Sequence, residues 1–346
     1  MNMKTIIIAS AVVCGISLSA QDIHFSQTTE TPLWNNPSQA GLGHDVRASI
    51  NYKDQWRSVV SAPYKTLFAS ADFALLRNSK KAQLGVGISL FNDQAGDVNL
   101  NTNMGQLALS GIVTLNASNF LSAGLSAGYG QRTLNYTNLT WGNQYDGLQY
   151  NSALVSGEPT NFQDVNFFDL GGGISWLFSS PNATLSSSDA RMFNIGVAAH
   201  HLNKPSYSFY GDNSSKLPMK LVFHGNAAIG LKNTNMILEP SYYVALQGPH
   251  REIVPGMMFK FLLGQSSKYT GNRRSSGVAL GAFVRFNDAI VPMVRYEFAN
   301  WAVATTYDIN ISDLSAASRA RGGFEVSIRF MTPDPFSKRS TNNSFF

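Results

Sequence analysis

Charged side chains are scarce in this sequence. Asp, Glu, Lys and Arg make up 14% of its 346 residues, against roughly 25% in ordinary soluble domains, so something other than charge must cover the surface. Cysteine is nearly absent. Cys14 is the only one, and a mature chain without it has no disulfide, no thiolate nucleophile and no cysteine-based metal site. Long apolar runs are missing too: no segment reaches the roughly 20 residues that a membrane-spanning helix needs. A mature chain that sits in a membrane would therefore have to cross it as a closed sheet. The formal net charge is +5, but it is spread thinly. Pairs such as Lys80-Lys81 and Arg273-Arg274 lie in turn-like sequence and extend into no basic stripe, which argues against a nucleic-acid partner.

What is present begins with an N-terminal export pattern. Met1 to Lys4 is short and basic, Thr5 to Leu18 is apolar, and the small residues Ser17, Ser19 and Ala20 follow, as in a secretory signal peptide spanning 1–20. Cys14 follows Val13, whereas a lipidated cysteine normally follows Gly or Ala, so cleavage after Ala20 is the expectation.

From Asp45 onward the period of the sequence is two, the signature of strands. Leu121, Ala123, Leu125, Ala127 and Tyr129 alternate with Ser122, Gly124, Ser126, Gly128 and Gly130. Leu84, Val86, Ile88 and Leu90 alternate with Gln83, Gly85, Gly87 and Ser89 in the same way. Fourteen such segments can be traced, most of them longer than the roughly five or six residues of soluble strands and suited to the about 9 to 11 of a tilted membrane strand. The fold expected is all-β: a transmembrane antiparallel β-barrel of about 14 strands over 45–331, with apolar residues toward lipid. An even strand number leaves both termini on the periplasmic side of an outer membrane. Asn135 to Asp164 and Asn203 to Leu217 then become outer loops, and Asn116 to Asn119, Lys232 to Asn235 and Ala299 to Asn300 tight inner turns. Trp56, Tyr64, Tyr129, Trp176, Tyr296 and Trp301 near strand ends suit interfacial girdles. Residues 332–346 follow the last strand as a periplasmic tail.

The residues that could carry chemistry do so poorly in this context. Gly124-Leu125-Ser126-Ala127-Gly128 spells the G-x-S-x-G of a hydrolase nucleophile elbow, but an elbow needs a sharp strand-to-helix turn, and this pentapeptide lies within an alternating strand. His200 and His201 are adjacent, and neighbours on a strand point to opposite faces, so they should not share a metal ion; polar lumen or rim positions suit them better. Asp93, Asp97, Asp146, Asp164 and Asp308 fall at strand ends or in loops, where most aspartates form turns, although such residues could line an ion path. Asp72 and Glu325 stand on the polar faces of strands, where a charge implies water or a basic partner. With Arg47, Arg295 and Arg329 they form a candidate lumen charge network. No cofactor, metal or catalytic set is expected.

The segment 21–44 has no strand period. It is a candidate plug or periplasmic docking strip, with Phe25 and Trp34 as candidate partner-binding anchors, because interface energy concentrates in buried aromatics.

Several stretches resemble one known family. Gln21-Asp22-Ile23-His24-Phe25-Ser26-Gln27 is followed by Asn36-Pro37-Ser38-Gln39-Ala40-Gly41, then by Tyr52-Lys53-Asp54-Gln55-Trp56-Arg57, Tyr64-Lys65-Thr66 and Ser70-Ala71-Asp72. Later come Asp93-Gln94-Ala95-Gly96-Asp97, His201-Leu202-Asn203-Lys204-Pro205, Gln247-Gly248, and Tyr307-Asp308-Ile309-Asn310-Ile311-Ser312 leading to Arg321-Gly322-Gly323-Phe324-Glu325. This succession resembles the PorP/SprF proteins, outer-membrane barrels of the Bacteroidetes type IX secretion and gliding machinery. Many of these end in a Cys-containing Pro-Arg-Phe tail, whereas this chain ends in Ser344-Phe345-Phe346. The resemblance implies a non-enzymatic barrel working with outer-membrane lipid, periplasmic components including a lipoprotein, and a secreted or surface-anchored substrate such as a large adhesin. A general porin or small-molecule uptake channel is the alternative, and a barrel lipase a third class. A porin predicts large conductance, a lipase dependence on Ser126, and an anchoring barrel retention of partners.

Overall fold

The computed structural model describes residues 22–57, 59–75, 82–96, 98–135, 140–157, 162–180, 191–211, 215–264 and 276–332. The proposed signal peptide, Asp97 and nearly all of the C-terminal tail lie outside these residues. Fourteen antiparallel strands form one closed barrel, each paired with its sequence neighbours, and the first strand closes on the last. The strands are β1 Val46–Gln55, β2 Tyr64–Leu75, β3 Ala82–Ala95, β4 Leu100–Asn116, β5 Asn119–Thr133, β6 Val165–Ser180 and β7 Arg191–His200. The second half comprises β8 Lys220–Gly230, β9 Met236–Gln247, β10 His250–Gly264, β11 Ser276–Arg285, β12 Ala289–Phe298, β13 Trp301–Asn310 and β14 Arg321–Met331. Every segment traced from the period-two pattern is a strand, with ends shifted by a few residues; β3 and β4 reach further toward their shared turn than hydrophobicity alone indicates.

The wall is inside-out relative to a soluble protein. In β5, Leu121, Leu125 and Tyr129 are exposed, while Ser122, Gly124 and Ser126 are buried. The same parity exposes Leu107 and Leu109 of β4 and buries Gln106 and Ser110. Apolar residues thus form the outer surface, as a bilayer demands, while the inner face is small and polar on β3 to β5 and carries an apolar cluster with Val222, Val254, Met258, Phe283 and Met293 in the second half. No helix among the described residues is long and apolar enough to span a membrane. Trp176, Tyr296 and Trp301 ring the end of the barrel that holds the start of β1 and the finish of β14, here the near end, and Tyr64 and Tyr129 ring the far end. These positions suit aromatic belts at two interfaces.

An even strand number should leave both termini on one side. The barrel's own ends do meet there, joined along a nine-residue seam from Arg47↔Met331 to Gln55↔Gly323. The described chain, however, starts at the opposite mouth. The amide of Asp22 donates to Oε1 of Gln247 at 3.0 Å, at the far end of β9. From there residues 22–44 descend through the lumen and enter β1 at the near end.

Candidate functional site: the filled lumen

Residues 22–44 are compact without being one regular element. Thr28–Glu30 and Pro37–Gln39 are single 3-10 turns, and Pro32–Asn35 is one helical turn, each proline near a turn's start where its missing N–H costs nothing. Such a chain satisfies only part of its own backbone, through turns such as Asn36 to Pro32 and Ala40 to Pro37, and the barrel supplies further partners. The Ser122 hydroxyl donates to the Ser38 carbonyl at 2.7 Å and the Ser110 hydroxyl to the Ala40 carbonyl at 2.6 Å. Asn36 Nδ2 lies 3.2 Å from the carbonyls of both Ile174 and Val197. Gln39 Nε2 donates to Ser175 at 2.7 Å, and Asn194 Nδ2 donates back to Gln39 Oε1 at 2.8 Å. Sheet glycines make this approach possible. A Cβ on Gly85 would stand 2.0 Å from the Ala40 carbonyl oxygen, and one on Gly124 would stand 2.6 Å from Ser38 Cα. The small inner face of β3 and β5 is therefore the mould for the plug backbone.

Charge clasps the plug at three levels. At the far mouth His201 bridges two carboxylates, with Nε2 2.7 Å from Asp22 and Nδ1 2.8 Å from Asp169, and Lys220 lies 3.4 Å from Asp22. Burial opposes the imidazolium, but the carboxylates of Asp22 and Asp169 outweigh it and raise the His201 pKa to about 9. Asp22 is likewise held ionised against burial by His201 and Lys220. The expectation that His200 and His201 face apart fails here. β7 ends at His200, and His201 takes a positive φ of 57° that turns its ring back into the lumen, so both imidazoles are buried.

In the middle level, Glu325 accepts the amide N–H groups of Ser26 at 2.7 Å and Gln27 at 3.3 Å. A strand carboxylate there implies water or a basic partner such as Arg47, Arg295 or Arg329; Glu325 instead holds the plug backbone. Nearby, Asp308 accepts from Arg285 and from the Ser26 hydroxyl, each at 2.8 Å. Lys53 Nζ reaches the His24 carbonyl at 3.1 Å.

The lower level holds two clusters. Asp72 accepts Arg47 Nε at 2.9 Å, the Gly41 amide at 2.8 Å and His44, closing the plug just before β1. Arg295 and Arg329 converge on Glu30, at 3.3 and 2.8 Å. Arg295 also pairs with Glu239 and with Glu297, the latter at 2.8 Å, and Glu297 pairs with Lys260. The five charges named from the sequence are all inside, but in three separate groups rather than one network. Sequence reasoning missed Lys53, Glu239, Lys260, Arg285 and Glu297, although their parity on β1, β9, β10, β11 and β12 is a readable signal. It also missed Asp22, Glu30 and His44, which have no periodicity to reveal them.

Phe25 and Trp34 pack on the barrel's own wall. Phe25 lies 5.5 Å from Phe68, Trp34 lies 5.1 Å from Phe91, and their rings meet edge-on at 6.3 Å. Lys220 stands 5.5 Å over Trp34, within cation–π range. Ser126, the G-x-S-x-G serine, is buried in mid-strand and accepts a hydrogen bond from Gln106 at 3.1 Å. Among the described residues no group of His, Cys, Asp and Glu is arranged to hold a metal ion. Asp146 and Asp164 are exposed in the β5–β6 connection, where Asp146 accepts the amides of Leu148 and Gln149 and forms a turn.

An outer wall of apolar side chains and a polar lumen filled by the chain's own N-terminal segment define an outer-membrane β-barrel with an internal plug. The chain belongs to the type IX secretion system membrane protein PorP/SprF family, whose model matches residues 17–330. No curated protein matches the sequence. Among solved structures it is similar to the toluene transporter TbuX of Ralstonia pickettii, at 11% identity and TM-score 0.49, over 88% of this chain and 94% of that one. It is also similar to the CymD monoaromatic hydrocarbon channel, at 11% identity and TM-score 0.46 over 89% and 94%. BamA of Haemophilus ducreyi lacking POTRA domains 1–3 follows at 7% identity and TM-score 0.43, over 84% and 70%.

Proposed function

We propose that this barrel is a non-enzymatic docking and anchoring component of the type IX secretion and gliding machinery. It helps to export or hold a surface protein, of the large adhesin class, and engages periplasmic components that include a lipoprotein. Family membership supports the setting, and one structural observation favours docking over permeation. Residues 22–44 fill the lumen through contacts with opposite sides of the wall, from Ser122 on β5 and Ser175 on β6 to Glu325 on β14. A general diffusion porin needs a continuous aqueous path, and residues 22–44 occupy this lumen; a small-molecule uptake channel, whose lumen can be plugged, would have to move them. We take the near end, with its tight β4–β5 and β12–β13 turns, as periplasmic and the far end, with its long β5–β6 and β7–β8 connections, as exterior, although the near-end connections Ser180 to Arg191 and Gly264 to Ser276 are longer than this rule prefers. Partner binding then falls to loops and turns, where area and packing supply the energy. Phe25 and Trp34 serve the seal in this arrangement, and a partner would meet them only where the segment withdraws.

Cross-linking in whole cells followed by partner identification tests the proposal: a periplasmic lipoprotein and a surface protein should both be recovered. In planar bilayers the intact protein should conduct weakly, and removal of residues 22–44 should raise conductance severalfold. Large conductance from the intact barrel, with no partner recovered, would favour the porin instead.

A further inference from the structure

The β5–β6 connection, residues 134–164, carries large apolar side chains that neither lipid nor the plug accounts for. Leu148 is 90% exposed, Val155 85%, Tyr145 58% and Tyr150 47%, and all four lie beyond the ends of β5 and β6. Exposed apolar residues on the strands of this barrel face hydrocarbon. On a connection they face water unless a partner covers them.

These residues are held in place rather than scattered. The Asn151 amide donates to the Gln144 carbonyl at 2.7 Å and the Asp146 amide to the Gln149 carbonyl at 3.1 Å. Tyr145 and Tyr150, bridged between those two bonds, therefore form a close cross-strand pair on one face of a small hairpin. Asp146 closes its turn by accepting the amides of Leu148 and Gln149 at 2.9 and 2.8 Å, and Gly147 takes a φ of 102° that suits glycine alone. The opposite face is anchored by buried Gln144. Its Oε1 accepts the Trp141 amide and its Nε2 donates to the Leu154 carbonyl, each at 3.2 Å. Asn143 Nδ2 donates to the Ser156 carbonyl at 3.0 Å, so Val155 sits between two ties to the hairpin. Two tyrosines, a leucine and a valine are thus presented in a fixed frame, and a partner that meets them has little loop entropy to remove.

The chemistry of the connection narrows the partner. Residues 134–164 include Asp146, Glu158 and Asp164 and no Lys, Arg or His. An anionic lipid surface draws in cations, not carboxylates, and a second copy of this chain would set like charges against each other. A polysaccharide stacks on tyrosines but finds no hydroxyl partner in Leu148 or Val155. A protein surface with an apolar centre and a rim of Lys and Arg matches both the anchors and the charge.

We propose that the Gln144–Asn151 hairpin is the docking site for the exported surface protein, with Tyr145, Leu148 and Tyr150 as its apolar anchors and the carboxylates of the connection as its acidic rim. The assignment rests on the anchoring role proposed above, with the far end exterior.

The test is site-specific photocross-linking in whole cells, with p-benzoylphenylalanine replacing Leu148, Ile311 in the β13–β14 connection, or Ser118 in the near-end β4–β5 turn. Position 148 should capture an exported surface protein through a peptide that mass spectrometry shows to be rich in Lys or Arg, and position 118 should not. Binding of that protein to the purified full-length barrel should weaken at least about tenfold in the Tyr145→Ser, Tyr150→Ser double variant, and severalfold between about 0.05 and 0.5 M salt. Capture at 148 of lipopolysaccharide, polysaccharide or a second copy, no capture there, or unchanged affinity of the double variant would overturn the assignment. Capture of the surface protein at 311 but not at 148 would overturn this docking site and leave the anchoring role standing. No surface protein captured from either position, or by bifunctional cross-linkers, would remove both.

Discussion

His201 ties the plug to the far mouth, and its ionisation makes that tie dependent on pH. Its pKa is raised to about 9 in the folded protein, above the roughly 6.5 of a free imidazole. The stabilisation is therefore complete below about pH 6.5 and is lost as pH rises through the folded value. Protease access to residues 22–44 should increase between pH 7 and about pH 9 in the wild type. In His201→Gln that pH dependence should disappear, with access already raised at neutral pH. Glu325 makes a different kind of contact, because it satisfies two plug amides at once. Glu325→Ala strands both in a buried site and should cost about 1–3 kcal/mol per unsatisfied group. Calorimetry should show a lower unfolding midpoint, and an unchanged midpoint would rule out a structural role for this carboxylate.

At the scale of strands and segments, the glycines of β3 and β5 separate wall from plug. Gly85→Val and Gly124→Leu should leave fourteen strands intact, because neither residue contacts lipid, yet both should expel the plug backbone, which occupies the space an added side chain would take. Conductance should rise in both. Gly111→Val is the control: it lies on the outer face of β4 with nothing within 4 Å of its added Cβ and should behave as the wild type. The strands were legible in the sequence for a plain reason. A period of two survives inspection wherever one face is apolar and the other small or polar, as in Leu84 to Ser89. The interior partners were legible only in part, since parity places Arg295 and Glu325 in the lumen without saying what they touch. The plug was the least legible element. Asn36 and Gln39 are ordinary turn residues in sequence, and only the surrounding sheet shows that their amides bridge β6, β7 and β8.

For the whole molecule, the opposed orientation of wall and plug explains several features together. Greasy side chains outside need no water, and many polar groups of the inner face, among them Ser110, Ser122, Ser175 and Glu325, bond to residues 22–44. The same closure shapes how the molecule comes to exist. Thirteen of the fourteen strand pairings join sequence neighbours and can form hairpin by hairpin, whereas the β1–β14 seam joins residues from Arg47 and Met331 to Gln55 and Gly323, at opposite ends of the barrel sequence. Nearly all the plug's clasps on β12 to β14 span similar distances. Ring closure and plug seating thus depend on the last-made part of the chain meeting the first-made part. A growing ribbon with its N-terminal segment lying on the polar side would let late strands curl round a guest already in place, making that segment a template for the diameter of the cylinder as well as its stopper.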